Sequence, residues 1–195
     1  MTIHRILLAS SSPRRKALLE EAGCEVTVVP PGTEEIRRPE ESPEAYAARN
    51  AAEKAKAILQ RGDIHLSARE TLIAADTIVV LGEKILEKPR SSFDAVSMLS
   101  ELSGKVHRVL TGVCITASHV AQRSFVEATR VHFRPLERAE IERYVITGEP
   151  MDKAGAYAIQ GGASEMVERI EGSRTNVVGL PMERVLEELK QIAGR

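Results

Sequence analysis

The stretch that most constrains this chain is residues 6–23, Ile-Leu-Leu-Ala-Ser-Ser-Ser-Pro-Arg-Arg-Lys-Ala-Leu-Leu-Glu-Glu-Ala-Gly. The apolar run Ile6 to Ala9 gives way to three serines, and Pro13 then stands at the first position of a helix-forming segment that closes at Gly23. This is the pattern of a strand, a turn and a capped helix. Ser12 is placed as the N-cap, its hydroxyl accepting from an orphan amide, and Pro13 has no amide to orphan. Such a helix start offers free amides, a positive dipole end and serine hydroxyls. Arg14 and Arg15 occupy its first turn, where carboxylates rather than cations are favoured. A bound anion would compensate them, and a polyphosphate is the natural candidate. The plainer reading is a solvated turn with two surface arginines, and other stretches must decide between the two.

Bulk properties remove several function classes. With 195 residues the chain fits one sizeable domain or two small ones and can bury a core without disulfides or metals. The 27 basic and 28 acidic residues leave a net charge of -1, which signals no general affinity for nucleic acid or a membrane surface. Aromatic residues make up 3% with no tryptophan, which argues against a platform for stacking bases. Cys24 and Cys114 lie far apart in apolar runs without metal-ligand spacing, so buried thiols are expected rather than a disulfide. No apolar run approaches the roughly 18 residues of a membrane span. No leader peptide is recognised either, and a cytoplasmic protein is expected.

Further along, Cys24 to Val29 alternates as a strand that Pro30-Pro31-Gly32 ends. In the loop that follows, Glu34 and Glu35 stand just past the strand end, where a carboxylate can meet a metal ion or simply be solvated. Ser42-Pro43 opens an alanine-rich helix to about Gln60, on which Arg49, Glu53, Lys54 and Lys56 read mostly as surface charges. Residues 71–81 are the most apolar run of the chain, yet Asp76 stands in its middle. A carboxylate inside a buried strand is costly unless paired, metal-bound or catalytic, which makes Asp76 the strongest single functional signal. The competing role is a cap on a bulge or a neighbouring helix.

Ser91 and Asp94 resemble a capping box ahead of an apolar helical face, Ala95, Met98, Leu99 and Leu102, which stops at Gly104. Val106–Ala117 and Ser124–Arg134 read as a β-hairpin with one wetter face. His107, His119 and His132 share no ligand spacing and read as structural or solvated. A helix over 136–147, a strand over 166–170 and a last helix from Pro181 to about Ile192 complete the chain. Residues 152–162 are small and glycine-rich, which lets backbone approach a ligand closely, although neither a P-loop nor a dinucleotide fingerprint is present.

Four stretches, in this order, resemble the Maf family of septum-formation-inhibitor-like nucleotide pyrophosphatases: residues 8–15; 75–80 with Lys88-Pro89; 102–112; and 152–161 with 176–181. The resemblance implies a single domain over 1–195 with a three-layer α/β fold like the inosine-triphosphate pyrophosphatases, an elongated mixed sheet flanked by helices, and a cleft between two lobes. It implies a Mg²⁺- or Mn²⁺-dependent hydrolase that cuts a nucleoside triphosphate between the α and β phosphates, in a homodimer. The form with Arg14, Thr77 and the segment ending in Gln160 resembles the branch acting on dTTP and UTP. The sister branch acting on 7-methyl-GTP is the alternative, and a non-enzymatic nucleotide-binding regulator of cell division is another. The implied site is Ser10, Arg14, Arg15, Lys54, Thr77, Lys88 and Gln160 toward substrate, Asp76 as proton acceptor, and Glu35 with Asp76 toward the metal. The chain departs from the family pattern in carrying Gly32 and Thr33 where an acidic residue is usual, and Gly162-Ala-Ser-Glu after the fourth motif.

Overall fold

The apolar run near the start of the chain becomes the middle of a parallel trio of strands. In the structure, a computed structural model that describes residues 4–118 and 120–193, β1 (Arg5–Ala9) pairs in parallel with β2 (Glu25–Val28) and β3 (Glu70–Leu81). Parallel neighbours need crossovers, and these are helical: α1 (Pro13–Glu21) joins β1 to β2, and α2 (Pro43–Leu59) precedes β3. β3 is buried almost without alternation, as a parallel strand covered on both faces is. β4 (Lys84–Leu86), α3 (Ser92–Leu102), β5 (Val106–Ala117), β6 (Val120–Phe133), α4 (Arg138–Ile146), β7 (Val167–Glu171), α5 (Arg174–Val178) and α6 (Met182–Ala193) follow. The strands form one mixed seven-stranded sheet in the order β2-β1-β3-β5-β6-β7, with β4 antiparallel beside β3. This is the expected mixed α/β class.

Two compact units can be distinguished. The first comprises the described residues up to Asp76, Thr111–Glu127 and those from Gly179 on. Its core is built on small side chains, with Ala9, Ala51, Ala55 and Ala74 around Ile58, Leu72 and Cys114. Small residues let α2 lie close to the sheet. At Gly112 the approach is too tight for any side chain, since a Cβ there would fall 2.2 Å from the Ala47 carbonyl oxygen. The second unit, Thr77–Leu110 and Ala128–Val178, is filled by larger side chains, among them Leu86, Leu99, Leu102, Val131, Ile141, Tyr144 and Met166. There His107, Phe133 and Tyr157 meet edge to face, with ring centroids 4.9 to 5.4 Å apart.

The capping predictions divide. Ser42 Oγ accepts from the Ala45 amide at 3.2 Å and Ser91 Oγ from the Asp94 amide at 3.1 Å, as expected. Ser12 occupies the N-cap of α1, but its hydroxyl makes no capping bond; its own amide donates instead to Ser10 Oγ at 3.2 Å. α1 ends at Glu21, before Gly23, and β6 starts at Val120, earlier than Ser124. Along β6 one face is wetter from Ala128 on, where Thr129, Val131 and Phe133 are buried between more exposed residues, whereas Glu127, on the same face as the buried Phe125, is only half-buried. α5 and three short 3-10 turns, at Glu149–Asp152, Ala154–Ala156 and Gly162–Met166, were not anticipated. Cys24 and Cys114 are free, buried thiols. His132 lies 3.3 Å from Glu171, and His119 lies outside the described residues. No helix among the described residues is long and apolar enough to cross a membrane.

Candidate active site

Asp76 sits in β3 two positions beyond Ala74, the last β3 residue paired with β1. It is 3% exposed. Burial at that level requires partners, and α2 supplies two. Its buried face runs Ala47, Asn50, Ala51, Lys54, Ala55, Ile58, so the two polar residues are four apart on an otherwise apolar stripe. Lys54 Nζ lies 2.6 Å from Asp76 Oδ1, and Asn50 Nδ2 donates to Asp76 Oδ2 at 3.0 Å. Asn50 was not singled out from the sequence. Its Oδ1 is a buried acceptor with no partner among the described residues.

Lys54 Nζ also lies 2.6 Å from Glu35 Oε1, so two carboxylates converge on one positive charge. Glu35 belongs to the loop after β2, and an arginine on α2 holds that loop down. Arg49 Nε and Nη2 reach Glu41 Oε1 and Oε2 at 2.7 and 2.8 Å, Nη1 reaches Glu53 at 2.9 Å, and Nη2 donates to the Ile36 carbonyl at 2.9 Å. The bonds from Arg49 hold the Glu41 carboxyl down at about 2. Tyr46 OH donates to the Glu35 carbonyl at 3.2 Å. Arg49 is therefore the hub of a latch and not the plain surface charge it resembles in the sequence.

The two arginines of the first turn divide their work. Arg15 points inward, donating from Nη1 to Ser10 Oγ at 2.9 Å and from Nε to the Gly179 carbonyl at 2.8 Å. Burial lowers the Arg15 guanidinium from its ordinary value, the carboxylates of Asp76 and Glu35 oppose that shift, and Arg14 adds to it. These four charges thus share one electrostatic neighbourhood. Arg14 is half-buried and makes no hydrogen bond or ion pair among the described residues, which leaves its guanidinium available to an anion. Ser10, Arg14 and Arg15 follow β1, Glu35 follows β2, and Asp76 lies in β3 beyond its pairing with β1. All five stand where the parallel strands end, the position at which open α/β sheets bind ligands.

The remaining predicted residues fall in the second unit. Thr77 follows Asp76 on β3 and is half-buried; Lys88 and Gln160 are exposed. Lys88 and Gln160 ride on segments that are tied together, because the Gly155 amide donates to the Glu87 carbonyl at 3.1 Å. Gly155 has φ +68, and a Cβ there would come within 2.9 Å of Val79, so glycine alone fits both the turn and the space. Tyr157 anchors the same segment through its hydroxyl, 2.8 Å from His107 Nε2. Burial brings His107 down to about 4 and pushes the Tyr157 phenol up.

Among the described residues no three His, Cys, Asp or Glu side chains cluster as a metal cage. The donor set nevertheless fits a hard divalent cation. Mg²⁺ is commonly held by one or two carboxylates together with substrate phosphates, and Asp76 and Glu35 are two carboxylates already gathered around one cation.

The Maf-like protein family profile matches residues 5–192. The chain is 46% identical over 187 residues to the dTTP/UTP pyrophosphatase of Desulfotalea psychrophila, covering 94% of this chain and 92% of that one. It is 49% identical over 189 residues to that of Geobacter metallireducens, 95% of each chain, and 47% identical over 182 residues to that of Vibrio cholerae, 93% and 95%. In fold it is similar to the Ham1 protein of Staphylococcus aureus (TM-score 0.51, 12% identity, 96% and 98% of the two chains). A HAM1 protein from Coxiella burnetii is similar to the same degree (TM-score 0.50, 12% identity, 97% and 100%). With the family profile spanning nearly the whole sequence and relatives of this identity matched over most of their length, the chain belongs to the Maf family.

Proposed function

We propose that this chain is a nucleoside triphosphate pyrophosphatase that hydrolyses dTTP and UTP to the monophosphate and pyrophosphate. The observation that carries the reading is the buried Asp76 carboxylate, held between Lys54 and Asn50 while Glu35 shares the same ammonium. A charge maintained at that depth with a convergent second carboxylate is costly as architecture alone and suits a site that handles protons and phosphates. The names of the relatives, dTTP/UTP pyrophosphatases, support the substrate class.

In this reading Asp76 accepts the proton of the water that attacks the α-phosphorus. Arg14 and Lys88 bring positive charge to the triphosphate, while Arg15 holds the β1–α1 turn and Ser10 in place and adds its own charge. Lys54 pairs with the Asp76 carboxylate and aligns it. Glu35 and Asp76 would hold a divalent cation, which supplies charge neutralisation on the polyphosphate and a more acidic water. The resemblance assigns Thr77 and Gln160 to the nucleoside, and Gln160 has both a donor and an acceptor to offer the O4 and N3 edge of uracil or thymine. The resemblance extends the proposal to a cytoplasmic homodimer, which light scattering of the purified chain checks.

A panel of nucleoside triphosphates incubated with the purified chain and Mg²⁺ tests the proposal. Monophosphate should form fastest from dTTP and UTP; preference for a purine nucleotide, or no monophosphate from any of them, overturns it.

A further inference from the structure

The turn that carries Gln160 is gripped from outside by two side chains that no sequence motif singled out. The Gly161 amide donates to the Ala158 carbonyl at 3.1 Å, closing a turn that buries Ile159 and leaves Gln160 exposed. Tyr144, on α4, accepts the Ala158 N–H through its hydroxyl at 3.2 Å and donates that hydroxyl to Glu149 Oε1 at 2.9 Å. Glu149 Oε2 accepts the Gly162 N–H at 3.2 Å. One hydroxyl and one carboxylate therefore hold the backbone on both sides of Gln160.

The grip is itself fixed. The Glu149 amide donates to Thr147 Oγ1 at 3.2 Å, and its carbonyl accepts from Lys153 Nζ at 2.7 Å. Tyr144 is 5% exposed, so its ring is set by the core. The two glycines make room for this arrangement: a Cβ at Gly161 would lie 2.0 Å from Glu149 Oε1, and one at Gly162 would lie 3.1 Å from the Tyr144 ring. A carboxylate with one oxygen on the Gly162 amide and the other on the hydroxyl that takes the Ala158 amide is a positioning device, because a base-reading amide discriminates only when its backbone is held to within about half an ångström.

We infer that Tyr144 and Glu149 are positioning residues for base selection, setting where the Gln160 amide meets the nucleobase. This rests on the pyrimidine reading of Gln160 given above. They do not touch the triphosphate; their effect on substrate choice passes through Gln160. Glu149→Gln keeps the shape and one acceptor oxygen, whereas Glu149→Ala removes both bonds that the carboxylate makes.

The test compares UTP with CTP, which differ only at the base edge, for wild type, Glu149→Ala, Glu149→Gln, Gln160→Ala and the Glu149→Ala/Gln160→Ala pair. Glu149→Ala should lower kcat/KM for UTP roughly tenfold, chiefly through KM, and lower the UTP:CTP preference by a similar factor. Glu149→Gln should recover part of the preference, and it supplies the measurement where the alanine variant does not fold. The paired variant should be no less selective than Gln160→Ala alone, since both changes act through one amide. A UTP:CTP preference unchanged by Glu149→Ala and Glu149→Gln, or selectivity losses that simply add in the paired variant, overturns the inference. Wild-type enzyme that shows no preference for UTP overturns instead the pyrimidine reading beneath it.

Discussion

Lys54 Nζ stands 2.6 Å from Asp76 Oδ1 with both side chains nearly shut off from solvent, at 10% and 5% exposure. Removing one member of such a pair strands the other. Lys54→Met should therefore cost about 3–5 kcal/mol of stability and lower kcat/KM at least a hundredfold. Lys54→Met combined with Asp76→Asn should recover much of the stability and none of the activity, because the stranded charge is gone. Urea unfolding of the two variants measures this, and a paired variant no more stable than Lys54→Met would contradict the pairing.

The Arg49–Glu41 latch gives an acid-side signature. The Glu41 carboxyl ionises near 4.5 in an unfolded chain and at about 2 in the folded one, so the folded state binds fewer protons between those values. The stabilisation is complete above about pH 4.5 and is lost as the pH falls toward 2. After solvent screening it should amount to about 1–2 kcal/mol. Arg49→Met should flatten that part of the stability profile and weaken Mg²⁺ binding by the apo protein, since the latched loop carries Glu35. Equal slopes for wild type and variant below pH 4.5 would remove the latch from the account.

His107 governs a higher window. Its imidazole is 1% exposed and brought from 6.5 down to about 4 by burial, with His132 contributing in the same direction. The unfolded chain takes up this proton first, so stability is full above pH 6.5 and declines toward pH 4. The decline should approach about 3 kcal/mol. His107→Gln can still hydrogen-bond the Tyr157 hydroxyl and should remove the slope between pH 6.5 and 4.5, above the range in which Glu41 acts. A slope that survives the substitution would assign it to another group.

Gly112 tests the packing that delivers α2 to the site. Gly112→Ala would place a methyl 2.2 Å from the Ala47 carbonyl oxygen, which backbone cannot easily yield. It should cost about 1–3 kcal/mol and lower activity even where the protein remains folded, because Asn50 and Lys54 move with the helix. Thermal unfolding together with turnover at low temperature checks this, and unchanged values for both would show that α2 is free to shift.

Which of these features could be seen in the sequence follows from how local each one is. Asp76 was legible because a carboxylate in an apolar run is a conflict visible in the string itself. The strand and helix around Ser10 to Arg15 were legible for the same reason, through Pro13 and the serines. Asn50 was not, because its significance depends on which face of an alanine-rich helix is buried, and alanine barely marks a face. Arg49 looked like a surface charge because its main partner, Glu41, lies across a loop whose path has no periodic signal. The Ser12 hydroxyl makes no cap, and nothing in a run of three serines marks Ser10 as the one whose Oγ takes the Ser12 amide and also receives Arg15. Tyr144 and Glu149 act on amides of a glycine-rich turn, and backbone partners leave no trace in side-chain pattern. The family resemblance, carried by motifs in order, gave the fold class that local reading alone left open.

Asp76 and its neighbours are proposed to direct water to the α-phosphorus. Hydrolysing UTP in heavy-oxygen water with Mg²⁺, and weighing the products made by wild type and Asp76→Asn, tests it most directly. Wild type should give labelled UMP with unlabelled pyrophosphate, and Asp76→Asn a turnover reduced at least a hundredfold with UTP binding largely intact. Label in the pyrophosphate, UDP and phosphate as the products, or full activity in Asp76→Asn would contradict it.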